Sequence, residues 1–120
     1  NNARTQIFST ALSPPACAAA YAALEIIEAE PQRREMLLRR CQKFREQIAA
    51  AEFQTIDDAV APIVPLLLDN PRLATDAAAA LEKRGYLVAA IRPPSVPPGT
   101  CRLRITLSAA HDDAAVDGLL

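Results

Sequence analysis

Apolar positions change their spacing several times along the chain, and each change predicts an element. From Leu37 onward, Leu37, Cys41, Phe44 and Ile48 recur at four, three and four residues, one stripe of a helix over about 32–50. Arg33, Arg34, Arg40, Lys43 and Glu46 take the opposite side, which reads as a solvated charged face. Before it, Ser13-Pro14-Pro15 is a helix start: serine can cap free N–H groups, and proline at the first helical position gives up no hydrogen bond. That first helix runs to about Ala29. Alanines, Tyr21, Leu24, Ile26 and Ile27 cover most of its circumference, so it calls for cover on several sides. Pro31 breaks or kinks it and can open the next helix.

The second half alternates between strand and helix. A short edge strand is possible at Phe53-Gln54-Thr55. Ile63 to Leu68 is a strand, and Pro65 inside it predicts an edge or a bulge rather than a central position. Asp69-Asn70-Pro71 starts a helix that ends at Arg84, with Gly85 as a left-handed cap. Tyr86 to Ile91 is a second strand. Arg102 to Ser108 is a third, with Leu103, Ile105 and Leu107 on one face and Arg102, Arg104 and Thr106 on the other. A last helix begins near Asp112. The expected fold is α/β: a two-layer small domain over 31–120, its short, mainly antiparallel sheet covered by helices on one face. A long kinked helix precedes it, and segment 1–30 is expected to pack on a large domain outside this chain.

Composition narrows the function. An apolar fraction of 51% in 120 residues supports a packed core. Thirteen Lys+Arg against fourteen Asp+Glu leave no basic footprint for nucleic acid or an acidic membrane. No apolar run reaches the ~20 residues of a bilayer span. Cys17, Cys41 and Cys101 match no zinc spacing and read as free thiols in a reducing cytoplasm. The opening "NNARTQIFSTALS" has no start methionine, and "AAVDGLL" stops within a helical pattern. The chain therefore reads as the C-terminal portion of something longer.

The least ordinary stretch is "IRPPSVPPGTCRLRIT", Ile91 to Thr106. Pro93, Pro94, Pro97 and Pro98 fix four φ angles directly before two strand arginines. An arginine on a rigid strand suits a carboxylate, which its planar guanidinium grips with two parallel hydrogen bonds. Ser95 offers a hydroxyl at the crest of the turn. Residue pattern alone leaves two alternatives open: a preorganised binding wall, or a stiff crossover beside a solvated sheet face.

"IRPPSVPPGTCRLRITLSAAH" resembles the C-terminal motif of the 8-amino-7-oxononanoate synthases, IRPPTVPxGTxRLRhTLTAAH. "NNARTQIFSTALSPPACAAAYAALEII" and "PIVPLLLDNPRLATDAAAALEKRGYLVAAIRPP" are similar to earlier stretches of the same family. The resemblance spans nearly the whole chain. The wider group is the α-oxoamine synthases, pyridoxal-phosphate enzymes of the aspartate-aminotransferase fold. Sister branches, making 5-aminolevulinate or 2-amino-3-ketobutyrate, differ at the segment matching Ile91-Arg92-Pro93-Pro94.

The resemblance implies a cytoplasmic homodimer that condenses L-alanine with a pimeloyl thioester, of CoA or of a carrier protein, in biotin biosynthesis. It matches Arg104 to the arginine that holds the amino-acid carboxylate. Ser95 stands where the family has a substrate-contacting threonine. Ser9 and Thr10 match a pair that reaches a neighbouring subunit's cofactor phosphate; Ser13 is an extra residue beside them. The Schiff-base lysine belongs upstream of Asn1, and Lys43 and Lys83 lie in the wrong context for it. The chain alone is thus expected to be inactive. Arg92 reads as a structural or solvated arginine ahead of the alternative, a partner for an acidic end of the acyl substrate; Arg102 reads equally as a surface residue, and His111 as a helix-start residue. A different class also stays open, a self-standing interaction module that binds a partner through the apolar first helix.

Overall fold

A computed structural model describes residues 11–56 and 61–120. The chain divides into two compact units, Asn1–Pro31 and Gln32–Leu120.

Helix α1 (Pro14–Ala29) is the described element of the first unit. Ser13 is extended and its Oγ accepts from the Ala16 N–H at 3.4 Å, with Pro14 opening the first turn. The helix ends as predicted. Glu30 leaves helical geometry at φ −125°, ψ 57°, and Pro31 opens helix α2 (Pro31–Ala50). No residue of α1 is buried, and Tyr21, Leu24, Ile26 and Ile27 all stay exposed.

The second unit is built on strands β1 (Ile63–Leu67), β2 (Ala89–Ile91) and β3 (Arg102–Thr106), with helices α3 (Pro71–Lys83) and α4 (Asp113–Asp117). The strand order is β1-β3-β2, and both ladders are antiparallel. The last strand in sequence is therefore the central one. Pro65 lies on an edge strand, where its missing N–H costs the ladder little. The Gln54-Thr55 segment touches the outer side of β1 through a single bridge, Thr55 to Leu66.

The core lies on one side of this sheet. Cys41, Phe44 and Ile48 of α2 are fully buried against Val64, Leu66, Leu103, Ile105, Leu107 and Val116. Ala77, Ala78 and Leu81 of α3 pack against the same cluster. The helical stripe read from the sequence and the alternation of β3 thus meet as the two halves of one core.

Local hydrogen bonds set the ends of α3. Asn70 Oδ1 accepts from the Leu73 N–H at 2.8 Å. At the other end the Gly85 N–H reaches Glu82 O and the Tyr86 N–H reaches Leu81 O, a Schellman closure with Gly85 at φ 91°. This closure explains why β2 starts at Ala89 and not at Tyr86: the Tyr86 N–H is already used to end the helix.

The charged face of α2 is not simply solvated. Arg40 Nε donates to Asp113 Oδ1 at 2.8 Å, and Arg40 Nη1 donates to the carbonyls of Ser108 and His111. Lys43 Nζ lies 2.9 and 3.0 Å from the two Asp117 carboxylate oxygens, and Gln47 donates to the same carboxylate at 3.2 Å. Two predicted surface cations in fact hold α4 and the turn before it onto α2.

Candidate functional site

The sheet face opposite the core holds the candidate site residues of β3. It presents Ile63, Pro65 and Leu67 of β1, Arg102, Arg104 and Thr106 of β3, and Ala89 and Ile91 of β2. Register places Arg104 between Pro65 on one side and Ala89 on the other. None of these neighbours bears a carboxylate. Arg104 is exposed, and its guanidinium makes no hydrogen bond or ion pair among the described residues. A fixed charge on a central strand, beside apolar neighbours and without a counter-ion, is disposed to take an incoming anion.

Arg102 behaves differently. Its Nε donates to Thr100 O at 3.0 Å, so this arginine is half-buried and fastens the exit of the proline loop. Two residues apart on one face, the two arginines have different surroundings.

The loop between β2 and β3 is closed by two turns. The Ser95 N–H donates to Arg92 O at 3.1 Å, across a cis Pro93-Pro94 bond. The Thr100 N–H and hydroxyl both reach Pro97 O, at 3.2 and 2.7 Å. Pro98-Gly99 forms the corner of the second turn, and Gly99 has φ 80°, a conformation glycine adopts freely. The loop base is the Ile91–Arg102 pair of the β2–β3 ladder. Ser95 is exposed in the first turn, and its hydroxyl is uncommitted among the described residues. With Ala90, Ile91, Arg92, Pro93 and Pro94 it lines a pocket of about 250 Å³. Arg92 is exposed there, also without a side-chain partner among the described residues. The structure brings Ser95 and Arg92 together at one pocket and sets Arg104 farther along the same hairpin.

His111 directly precedes Asp112, whose Oδ1 caps α4 by accepting from the Ala115 N–H at 2.7 Å. Its Nδ1 accepts from the Ser108 N–H at 3.3 Å, so its observed task is to close a turn. Ser9 and Thr10 lie outside the described residues.

Among the described residues, two groups have shifted ionisation. Burial pushes the Cys41 thiol up, against the opposing charges of Arg45 and Arg40. The Lys43 hydrogen bond, and next the one from Gln47, hold the Asp117 carboxyl below its ordinary range. Neither lies at the open face.

Sequence reasoning missed what Arg40 does. Its partners lie 68 to 73 residues away, and no local spacing reports them. Asp112 and Asp113, two acids at a helix start, were the available signal.

Comparison with known proteins agrees with this architecture. The 8-amino-7-oxononanoate synthase of Anaeromyxobacter dehalogenans (strain 2CP-C) is 52% identical over 120 residues, all of this chain and 30% of the relative. The crystal structure of 8-amino-7-oxononanoate synthase from Francisella tularensis superposes with a TM-score of 0.84 at 25% identity, over 98% of this chain and 34% of that one. A variant of serine palmitoyltransferase from S. paucimobilis, with a bound PLP–myriocin aldimine, gives a TM-score of 0.84 at 26% identity, over 93% of this chain and 28% of that one. The chain thus spans about a third of the length of the proteins it matches. Aminotransferase class I and II matches residues 1–120 throughout, and the chain belongs to that family.

Proposed function

We propose that this chain is the substrate-orienting C-terminal part of a pyridoxal-phosphate-dependent acyltransferase that makes 8-amino-7-oxononanoate. In that reaction the α-carbon of L-alanine forms a bond to the acyl carbon of a pimeloyl thioester. The C–S bond breaks, the thiol leaves, and the alanine carboxylate departs as CO2. The 52% identity to a synthase of that name supports the reading. The observation that carries it is Arg104, exposed and uncompensated between Pro65 and Ala89.

The described residues suit the amino-acid end of the substrate better than the cofactor's point of attachment. The open face holds no lysine. Lys43 Nζ is engaged by Asp117, and Lys83 sits in the last turn of α3. Pyridoxal phosphate, when bound, supplies the electron sink for loss of the α-proton and for condensation. Its covalent anchor would come from the remainder of the parent protein, and Thr10, with Ser9, would approach the phosphate of a partner subunit in a homodimer. Segment 1–30 would pack on the large domain, covering the apolar residues of α1. The parent would work in the cytoplasm, consistent with the three free thiols.

Within this scheme Arg104 holds the α-carboxylate through paired, charge-assisted hydrogen bonds and thereby fixes rotation about the α-carbon. Arg102 is the less open of the two arginines, half-buried and with its Nε–H on the Thr100 carbonyl. Ser95 offers its hydroxyl to the substrate from a loop with few free torsions, so little ordering remains to be done on binding.

The test is the full-length parent assayed with L-alanine and pimeloyl-CoA, wild type beside Arg104→Ala. Hydrogen bonds to charged groups contribute about 1.5–3 kcal/mol, so KM for L-alanine should rise roughly 10- to 150-fold. Unchanged alanine affinity would remove Arg104 from this role. A wild-type preference for glycine would move the parent to a sister branch.

A further inference from the structure

The open sheet face is not level around Arg104. Val88 and Ala90 pack toward the core, so the alternation of an extended chain turns Leu87, Ala89 and Ile91 outward. Leu87 is 92% exposed, in keeping with that alternation. The outward row therefore reads large, small, large. Its small member falls in register with the arginine: Ala89 is the partner of Arg104 in the β2–β3 ladder. On the other side the partner is Pro65, a rigid ring. The surface beside the guanidinium is thus lowest at Ala89, a single methyl between a leucine and an isoleucine.

Directly opposed Cβ atoms of an antiparallel pair lie about 4.5–5.5 Å apart. A carboxylate gripped by Arg104 brings its α-carbon with it, and the substituent on that α-carbon follows one bond further on. The notch over Ala89 is the adjoining space for that substituent. Its walls, Leu87 and Ile91, are apolar and offer no hydrogen bond. It suits a methyl group, and its depth is set by the residue at position 89.

We propose that Ala89 is a specificity-determining residue that limits the size of the amino-acid side chain the enzyme accepts. This inference rests on the functional reading above, in which Arg104 holds the α-carboxylate, and adds what separates one amino acid from the next. Glycine leaves the notch empty. L-alanine fills it with a methyl group, and L-2-aminobutyrate brings one methylene more. A methylene in an apolar pocket changes discrimination by about 10- to 200-fold, so small changes at position 89 should reorder the series.

The experiment uses the full-length enzyme with saturating pimeloyl-CoA and three amino acids: glycine, L-alanine and L-2-aminobutyrate. Wild type is compared with Ala89→Val and Ala89→Gly. The Kd of each amino acid is also measured by equilibrium titration without thioester, which separates binding from chemistry. Ala89→Val should lower kcat/KM for L-alanine by about tenfold, lower it further for L-2-aminobutyrate, and leave glycine within about twofold. Ala89→Gly should raise the ratio of L-2-aminobutyrate to L-alanine by about tenfold. The Kd values should move in the same order. An equal change for all three amino acids, or no change for any, overturns the size limit at Ala89 and leaves the functional reading intact. Wild-type enzyme that makes no product from any of the three overturns the functional reading itself, and this inference with it.

Discussion

Arg40 Nε and Asp113 Oδ1 lie 2.8 Å apart, joining α2 to the start of α4, and the arginine side chain is only 9% exposed. The same guanidinium also satisfies the carbonyls of Ser108 and His111. Replacing it removes three acceptors' partner at once. Arg40→Met should destabilise the Gln32–Leu120 unit by about 1–3 kcal/mol in denaturant titration. Amide exchange should speed most over residues 108–118. Uniform faster exchange across the sheet would contradict a local clamp.

Asp117 should report on the same junction through pH. Its carboxyl titrates below the ordinary value of 3.8, first because Lys43 donates to it and next because Gln47 does. A lowered folded-state value means the stabilisation is full above the unfolded value and is lost as pH falls through the folded one. In a carboxylate NMR titration, Lys43→Met should raise the Asp117 midpoint toward 3.8. An unshifted midpoint would show that the Lys43 contact does not form in solution.

The three thiols should separate cleanly. Cys17 is exposed on α1, whereas Cys41 and Cys101 are fully buried. At neutral pH a thiol reagent should label Cys17 fast and the other two only after denaturation. Burial raises the Cys41 value above its ordinary 9.0. The stabilisation from keeping that thiol neutral is complete below 9.0 and declines as pH climbs through the folded-state value. Cys41→Ala should reduce that alkaline decline, and rapid native labelling of Cys41 would refute its burial.

Gly99 sits at φ 80° with open space where a Cβ would be. Gly99→Ala should therefore cost about 1–2 kcal/mol from backbone strain and not from a clash. Gly118→Ala differs in kind, since its Cβ would come within 2.5 Å of the Tyr86 hydroxyl. In the parent enzyme Gly99→Ala should raise KM values more than it lowers kcat, because it loosens the loop that carries Ser95 and Arg92. An unaltered KM for both substrates would mean that the loop's rigidity is irrelevant to binding.

Much of this fold is legible residue by residue. The caps at Ser13 and Asn70, the stripe ending at Ile48, the edge placement of Pro65 and the two-sided β3 all follow from local chemistry. The extent of β2 does not, because it depends on where the Tyr86 N–H is used. Nor does the clamp at Arg40, whose partners are distant in sequence. The site divides in the same way. A rigid loop before two arginines is visible in the motif. That Arg104 is free and Arg102 committed depends on ladder register and on the Thr100 carbonyl, and neither leaves a trace in spacing.

The position of β3 also governs how the domain can be assembled. The strand bearing Arg104 is the only one among the described strands that both others contact, and it comes last. During synthesis β1 and β2 have no ladder partner until Arg102 to Thr106 emerge. Pairing at Ile63–Thr106 then closes a long loop, the kind of distant contact that slows folding. A chain ending just before Arg102 would lose Arg104 and both ladders of the described sheet in one cut.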